Sequence, residues 1–211
     1  MAEDSLLKAT REIEKAVGVK PGFFIALLKE EGDWSFVIKL HALIEAAVTH
    51  LLVVKSGAEK LETVYAQLEL SDNRKGKLAF VRELGLLDSM YRRLIVTLSE
   101  IRNRFVHDIK NVNITLEEYV RQLDTQQRQN FIEAVSLDFD VPIEINGKNI
   151  PIGDFISENP KTGIWMAAMR LLGIIYFKKK DLKKRQIFLK KAEGLANALA
   201  AYKVERRPLS K

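Results

Sequence analysis

The stretch WSFVIKLHALIEAAVTHLLVV, Trp34 to Val54, decides the fold. Drawn as an α-helix, it is apolar over most of its circumference, which is typical of a helix buried on several sides. Asp33 precedes it and is expected to be its N-cap, and Ser56-Gly57 is expected to end it. The sequence therefore predicts one long central helix, around which the other elements pack.

Helical periodicity also dominates the rest of the chain. Further helices are predicted near 5–17, 23–30, 59–68, 75–84 and 89–108, and from 116 to 135 with an interruption near Asp124. Asp88 is the expected N-cap of the helix at 89–108, and Thr115 with Glu118 has the spacing of a capping box. The chain is predicted to be helical again from 161 to about 206, with a break around 178–182.

One segment, at about 139–153, departs from the helical pattern. It is rich in β-branched residues and carries Asn146-Gly147 between two apolar runs, which is a hairpin signal. Pro142 and Pro151 indicate short, edge-like strands. No repeat or long linker divides the 211 residues. The predicted fold is therefore all-α: a single-domain helical bundle with a small inserted β-hairpin.

The composition limits the possible classes of protein. Hydrophobic residues make up 47% and charged residues 29%, which favours a soluble globular chain. The absence of cysteine excludes disulfides, thiolate zinc sites and cysteine nucleophiles, and fits a cytoplasmic protein. The N-terminus lacks the features of a signal peptide. The most apolar run, Gly163–Phe177, is too short to cross a bilayer and contains Arg170, so no membrane association is expected.

The basic residues are concentrated near the C-terminus. The net charge is +6, and the segment from Phe177 to Lys191 holds eight basic residues and one aspartate. Such a surplus attracts polyanions such as RNA, whereas a solvated helix face is the alternative interpretation. The predicted RNA-binding residues are Lys178, Lys179, Lys180, Lys183, Lys184 and Arg185.

Several common sites are not indicated by the sequence. It contains no phosphate-binding P-loop, no dinucleotide-binding GxGxxG after a strand and no GxSxG nucleophile elbow. His41 and His50 are nine residues apart, on opposite faces of the central helix, and are interpreted as packed or partly exposed histidines. The neighbouring carboxylates Glu30-Glu31 and Asp138/Asp140 are interpreted as solvated loop residues. We therefore predict neither a metal nor a cofactor.

The segment SEIRNRFVHDIKN, Ser99 to Asn111, carries the candidate catalytic residues Arg102, Asn103 and His107. Cleavage of RNA without a metal needs a base for the ribose 2′-hydroxyl, an acid for the leaving 5′-oxygen and a cation for the charged phosphorane. Histidine can serve as acid or base, arginine can clamp the phosphate, and asparagine can orient either one. The alternative is that Arg102 and His107 only satisfy the carbonyl groups at the helix end.

The spacing of these residues constrains how they could act. Asn103 and His107 are four apart and share a face, whereas Arg102 and His107 diverge by about 140° on an ideal helix. Two chains related by a two-fold axis could bring Arg102 of one subunit toward His107 of the other. The spacing therefore suggests a composite site in a homodimer.

The motif RNRFVH resembles the Arg-polar-x-x-x-His signature of the HEPN superfamily. The wider segment GKLAFVRELGLLDSMYRRLIVTLSEIRNRFVHDI is similar to the branch that contains the mannitol-repressor family. Upstream, VIKLHALIEAAVTHLL resembles the long helix that carries a glutamate facing the motif in this branch, and Glu45 is the matching residue. The resemblance covers about 34–113, the HEPN-like core; the basic helices at 161–206 and the hairpin lie outside it.

The resemblance implies an all-α dimer with the motif near its interface and, in many members, metal-independent endoribonuclease activity. Such members are often toxins or defence factors restrained by an antitoxin or another protein partner. By position, Arg102 and His107 would be catalytic with Asn103 supporting, and Glu45 would orient Arg102; an ordinary buried salt bridge is the alternative for Glu45. The branch also includes regulators. A non-catalytic regulator or adaptor is therefore the second functional hypothesis, and a DNA-binding repressor the third.

Overall fold

A computed structural model describes residues 2–107, 112–138, 141–145 and 147–205. It contains ten α-helices, one 3₁₀ helix and one two-stranded sheet within these residues. The helices are α1 (Ala2–Val17), α2 (Phe23–Leu28), α3 (Asp33–Ser56), the 3₁₀ helix (Glu59–Leu61), α4 (Glu62–Gln67), α5 (Lys77–Glu83), α6 (Ser89–His107), α7 (Leu116–Arg121), α8 (Thr125–Ser136), α9 (Ile152–Glu158) and α10 (Pro160–Glu205). The strands are β1 (Ile143–Ile145) and β2 (Lys148–Ile150). The predicted all-α bundle with a small hairpin is confirmed.

Helix α3 is the centre of the bundle, as its apolar circumference predicted. It packs against α6 on one side and α10 on another. Its buried residues include Phe36, Leu40, Ile44, Val48 and Leu51. By length and composition alone, α3 could also cross a membrane, a test that the core helix of a soluble bundle passes as well.

The helix ends near the motif are fixed by side chains. Thr115 and Asp124 each accept a hydrogen bond from the backbone three residues later, and each forms a complete capping box. The capping box at Thr115 and the interruption near Asp124 were both predicted from the sequence. These two caps stabilise the short helices α7 and α8, which are too short to be stable alone.

Asp33 does not cap α3, because Gly32 occupies the N-cap position. The Asp33 carboxylate instead accepts a hydrogen bond of 2.7 Å from the backbone N–H of Leu116 and lies 3.0 Å from Lys161 Nζ. The predicted cap is therefore displaced by one residue. The reason is tertiary: Asp33 joins the starts of α3, α7 and α10.

The hairpin forms between β1 and β2, with Ile145 paired to Lys148 across a two-residue connection. Gly147 has a φ angle of 76°, a left-handed conformation that glycine adopts without strain. Asn146, the other predicted turn residue, lies outside the described residues, as do Asp108, Asp140 and Arg206. The predicted insert at 139–153 overlaps the start of α9, which the sequence pattern did not indicate.

Helix α10 runs for 46 residues without interruption, so the break predicted around 178–182 is wrong. No proline or glycine lies in that segment, and lysine and leucine favour the helix. Asp181 and Arg185 add an i,i+4 ion pair of 2.9 Å. The first half of α10 is buried in the bundle, whereas Phe177 and most residues from there to Leu195 are exposed.

Candidate functional site

The candidate site lies where α6 ends against the first half of α3. The indole Nε1–H of Trp34 donates a hydrogen bond of 3.2 Å to the carbonyl of Phe105, and His41 Nε2 lies 3.0 Å from Ser99 Oγ. These two contacts show that the helices run in opposite directions. They fix the last two turns of α6, which carry Arg102, against α3.

Arg102 is half-buried, and its Nη1 donates a hydrogen bond of 2.9 Å to Asn103 Oδ1. Asn103 therefore holds the guanidinium through its side-chain oxygen. The amide adds no negative charge. In the described ranges, no carboxylate forms an ion pair with Arg102. The guanidinium thus lies in a partly desolvated position, where its attraction for an anion is screened less than in bulk water.

Glu45, which is expected to orient Arg102, has another side chain as its hydrogen-bond partner. Glu45 Oε1 instead accepts a hydrogen bond of 2.6 Å from Lys77 Nζ, at the start of α5. The physical reason is the burial of Lys77: its side chain is 0% exposed and needs a counter-charge, whereas that of Glu45 is 36% exposed. Glu45 thus takes part in a salt bridge of which only Lys77 is buried, and its role toward Arg102 stays a prediction.

His41 belongs to this site, although the sequence analysis interpreted it as an ordinary packed histidine. Burial lowers the pKa of His41, the nearby charges of Arg102 and Lys77 lower it further, and Glu45 opposes them. The imidazole is therefore neutral near pH 7, where it can accept a proton. The sequence feature that links His41 to this site is its position four residues before Glu45, which places both side chains on one face of α3.

His107 is the last residue of α6, and its side chain is exposed. Because α6 is one continuous helix, His107 stays on a different face from Arg102, as predicted from their spacing. One chain therefore does not bring these two groups together. Val106, beside His107, is an exposed apolar residue at this end of the helix.

The basic residues of α10 lie on the other side of α3. Gln186 Nε2 of α10 donates a hydrogen bond of 2.5 Å to the carbonyl of Val54, near the end of α3. His50 and Lys179 line one pocket on that side, and His50 is about 180° around α3 from His41. The predicted RNA-binding residues and the Arg102 site are therefore separate surfaces within one chain.

The six predicted RNA-binding residues do not form one surface either. Lys179 and Lys183 line a cleft against the end of α3. Arg185 is paired with Asp181, and Lys180 Nζ lies 6.0 Å from the centre of the Tyr176 ring. Lys178 is half-buried and Lys184 is exposed. A run of lysines in a helix thus points in several directions, as a period of 3.6 residues requires.

Comparisons of this chain with known proteins found no match. No protein-family model matches this chain, and neither does a curated protein or a solved structure. The described part of the chain also contains no group of three histidine, aspartate or glutamate side chains that could hold a metal ion. The HEPN resemblance therefore stays a prediction from the motif.

Proposed function

We propose that the chain is an HEPN-like, RNA-binding protein that cleaves RNA without a metal ion, as a toxin or defence factor. The observation that supports this best is the state of Arg102: a half-buried guanidinium, held by a neutral amide, whose expected carboxylate partner is bound to Lys77. A phosphate of RNA is the natural counter-ion for such a group, because its oxygens match the guanidinium fork.

In the proposed reaction, Arg102 clamps the scissile phosphate and stabilises the phosphorane, and His107 acts as acid or base. The base takes the proton of the ribose 2′-hydroxyl, and the 2′-oxygen attacks phosphorus. The bond from phosphorus to the 5′-oxygen breaks, and the acid protonates that oxygen. The products are a 2′,3′-cyclic phosphate and a 5′-hydroxyl. Asn103 orients Arg102 through its side-chain oxygen.

The proposed site is composite, with Arg102 of one subunit close to His107 of a second copy. The divergence of the two side chains along α6 favours this arrangement over a site in one chain. The lysines of α10 would then act through their long-range field, which steers RNA toward the protein without contact at the scissile bond. A protein partner that restrains the activity remains part of the proposal.

The test is cleavage of RNA in EDTA by the wild type, Arg102→Ala and His107→Ala, with Arg104→Ala as the matched control. Arg104 is an exposed arginine of the same helix that bonds Gln122 and contacts the Tyr119 ring. We expect both motif variants to lose at least a hundredfold in rate and the control to keep its activity. Equal rates in wild type and His107→Ala would refute the proposal.

The same variants can be compared in cells. Expression of the wild type in a bacterial host should arrest growth and degrade RNA, and expression of His107→Ala should do neither. Circular dichroism and gel filtration must show that the variant keeps the fold and the oligomeric state of the wild type.

A non-catalytic regulator or adaptor is the second candidate. The observation that favours it is that Arg102 and Lys179 of α10 lie on opposite sides of α3 within one chain. This candidate predicts no RNA cleavage by the wild type at any concentration, and binding to a protein partner that does not depend on His107.

A further inference from the structure

An apolar cavity lies beside the β-hairpin, outside the segment that resembles the HEPN core. Its volume is about 350 Å³, and it is bounded by the end of α8, strand β1, α9 and the first half of α10. The residues that line it include Val135, Leu137, Ile143, Phe155, Met166 and Arg170. No step of the proposed RNA cleavage uses this cavity.

The lining is tightly packed on one side and open to solvent on another. On the packed side, a Cβ atom added to Gly163 of α10 would lie 3.1 Å from Ile156 Cγ1 and 3.3 Å from Val135 Cγ1. Val141 and Met166, which also line the cavity, are exposed. A small molecule could therefore enter from solvent and be enclosed by α8, α9 and α10.

The cavity is too large and too apolar to be filled stably by water. A volume of 350 Å³ corresponds to roughly ten water molecules, and each buried water needs about two to four polar partners. Among the described residues of the lining, only Ser136 and Arg170 have polar side chains, and Ser136 Oγ already donates to the carbonyl of Glu133. The volume falls within the range of small-molecule pockets, about 300–1,000 Å³.

Arg170 is the one ionisable side chain among the described residues of the lining. It is half-buried, and its Nη1 donates a hydrogen bond of 3.4 Å to the carbonyl of Leu137. A guanidinium has five N–H donors in a planar fork, so it can bind a backbone carbonyl and a carboxylate at the same time. Since its charge is screened less here than in bulk water, the cavity favours an anionic group attached to an apolar body.

The backbone that follows α8 is strained at the wall of the cavity. Leu137, which is buried, has a φ angle of 53°, and Asp138 has a φ angle of 55°. Glycine usually adopts this left-handed conformation at a helix end, and leucine rarely does. Strained residues of this kind cluster at ligand-binding segments, where surrounding contacts hold them in place. The hydrogen bond from Arg170 to the carbonyl of Leu137 is one such contact.

We propose that this cavity binds a small carboxylate with an apolar tail, such as a medium-chain fatty acid. The tail lies between α8, α9 and α10, and the carboxylate pairs with Arg170. A carboxylate matches the single guanidinium, whereas a phosphate monoester carries close to two negative charges. Binding here is independent of the proposed cleavage at Arg102, and either proposal can fail without the other.

The experiment is calorimetric titration of the full chain with octanoate, octanol and acetate. The test variant is Arg170→Gln, which keeps an amide donor for the carbonyl of Leu137. The matched control is Arg128→Gln, because Arg128 of α8 is also half-buried and also donates a hydrogen bond of 3.4 Å to a backbone carbonyl, but does not line the cavity. We expect octanoate binding to weaken at least tenfold in the test variant and less than twofold in the control. Octanol binding should change less than twofold in both.

A third variant, Met166→Trp, narrows the open side of the cavity from an exposed position. It should weaken the binding of octanoate and octanol alike, because both need room for the same tail. Acetate, which lacks the tail, should not bind measurably to the wild type. Three results would overturn the proposal: absence of octanoate binding to the wild type, equal octanoate affinity in the two arginine variants, or unchanged affinity for both eight-carbon ligands in Met166→Trp.

Discussion

Lys77 Nζ donates a hydrogen bond of 2.6 Å to Glu45 Oε1, and this pair joins the start of α5 to the middle of α3. The carbonyl groups of Leu68 and Ala66, at 2.6 and 3.3 Å, accept the other hydrogen bonds of the ammonium. All three donors of this buried lysine are therefore used. Glu45 therefore forms its ion pair with Lys77, across from α5.

This arrangement predicts how stability responds to mutation. Lys77→Met should lower the free energy of unfolding by about 2–4 kcal/mol, because two carbonyls and a carboxylate lose their donor. Arg102→Ala should cost less than about 1 kcal/mol, because half-exposed Asn103 can bond to water instead. Urea unfolding monitored by circular dichroism measures both.

A double-mutant cycle supplies the control for this prediction. Glu45→Gln should show a clear coupling energy with Lys77→Met and none with Arg102→Ala. A larger stability loss for Arg102→Ala than for Lys77→Met would contradict the ion pair between Lys77 and Glu45. It would also favour a mainly structural role for Arg102.

The lowered pKa of His41 predicts a pH dependence of stability. Since its pKa is lower in the folded than in the unfolded chain, the unfolded chain binds the proton first as the pH falls. Stability should therefore decrease as the pH falls below the unfolded value of about 6.5 toward the folded pKa. Above pH 6.5, His41 does not make the free energy of unfolding depend on pH.

The measurement is urea unfolding of the wild type and His41→Gln between pH 5 and pH 8. We expect a flatter profile for the variant below pH 6.5, because glutamine does not titrate. Parallel profiles of the two proteins would show that His41 does not carry this dependence. NMR titration of the His41 ring protons would give its folded pKa directly.

Gly76 is required by a close approach of the backbone just before Lys77. A Cβ atom at this position would lie 2.3 Å from the carbonyl oxygen of Glu69 and 2.8 Å from that of Asp72. Gly76→Ala should therefore cost about 2–4 kcal/mol, since two backbone segments must move. Thermal unfolding followed by circular dichroism measures the loss.

Gly194→Ala is the control for this change, because no atom lies within 4 Å of the added Cβ. This glycine is inside α10, where alanine favours the helix by about 0.5–1 kcal/mol. Gly76→Ala should thus lower the free energy of unfolding, and Gly194→Ala should raise it. Equal effects would mean that the contact at Gly76 does not constrain the loop.

The sequence predicted the parts of this structure that depend on local pattern. The central helix, the capping box at Thr115 and the hairpin follow from periodicity, cap chemistry and turn residues, and all are present. The divergence of Arg102 and His107 follows from the geometry of one continuous helix.

The parts that the sequence analysis missed depend on tertiary contacts. The hydrogen bond of Glu45 with Lys77 does not follow from local pattern, because it depends on how deeply α5 buries this lysine. The sequence pattern does not place His41 in the site, because the feature that does so is its contact with Ser99 of another helix. Local pattern likewise predicts Asp33 as the cap of the nearest helix, whereas Asp33 bonds to α7 and α10.

The proposed dimer makes a prediction about the surface next to the motif. Val106 is 41% exposed and directly precedes His107, so an interface that joins two copies of the motif would cover it. Val106→Lys should then convert the dimer to a monomer and lower the rate of RNA cleavage, because a lysine in the core of the interface loses its hydration. Light scattering coupled to gel filtration measures the mass.

Val64→Lys is the matched control, since Val64 on α4 is a valine of similar exposure, 53%, on a different part of the surface. This variant should keep both the dimer mass and the cleavage rate. If Val106→Lys remains a dimer with full activity, the motif does not lie at the interface. Since Arg102 and His107 diverge within one chain, the two residues could then not form a composite catalytic site. A non-catalytic regulator would then be the better proposal for the function of this chain.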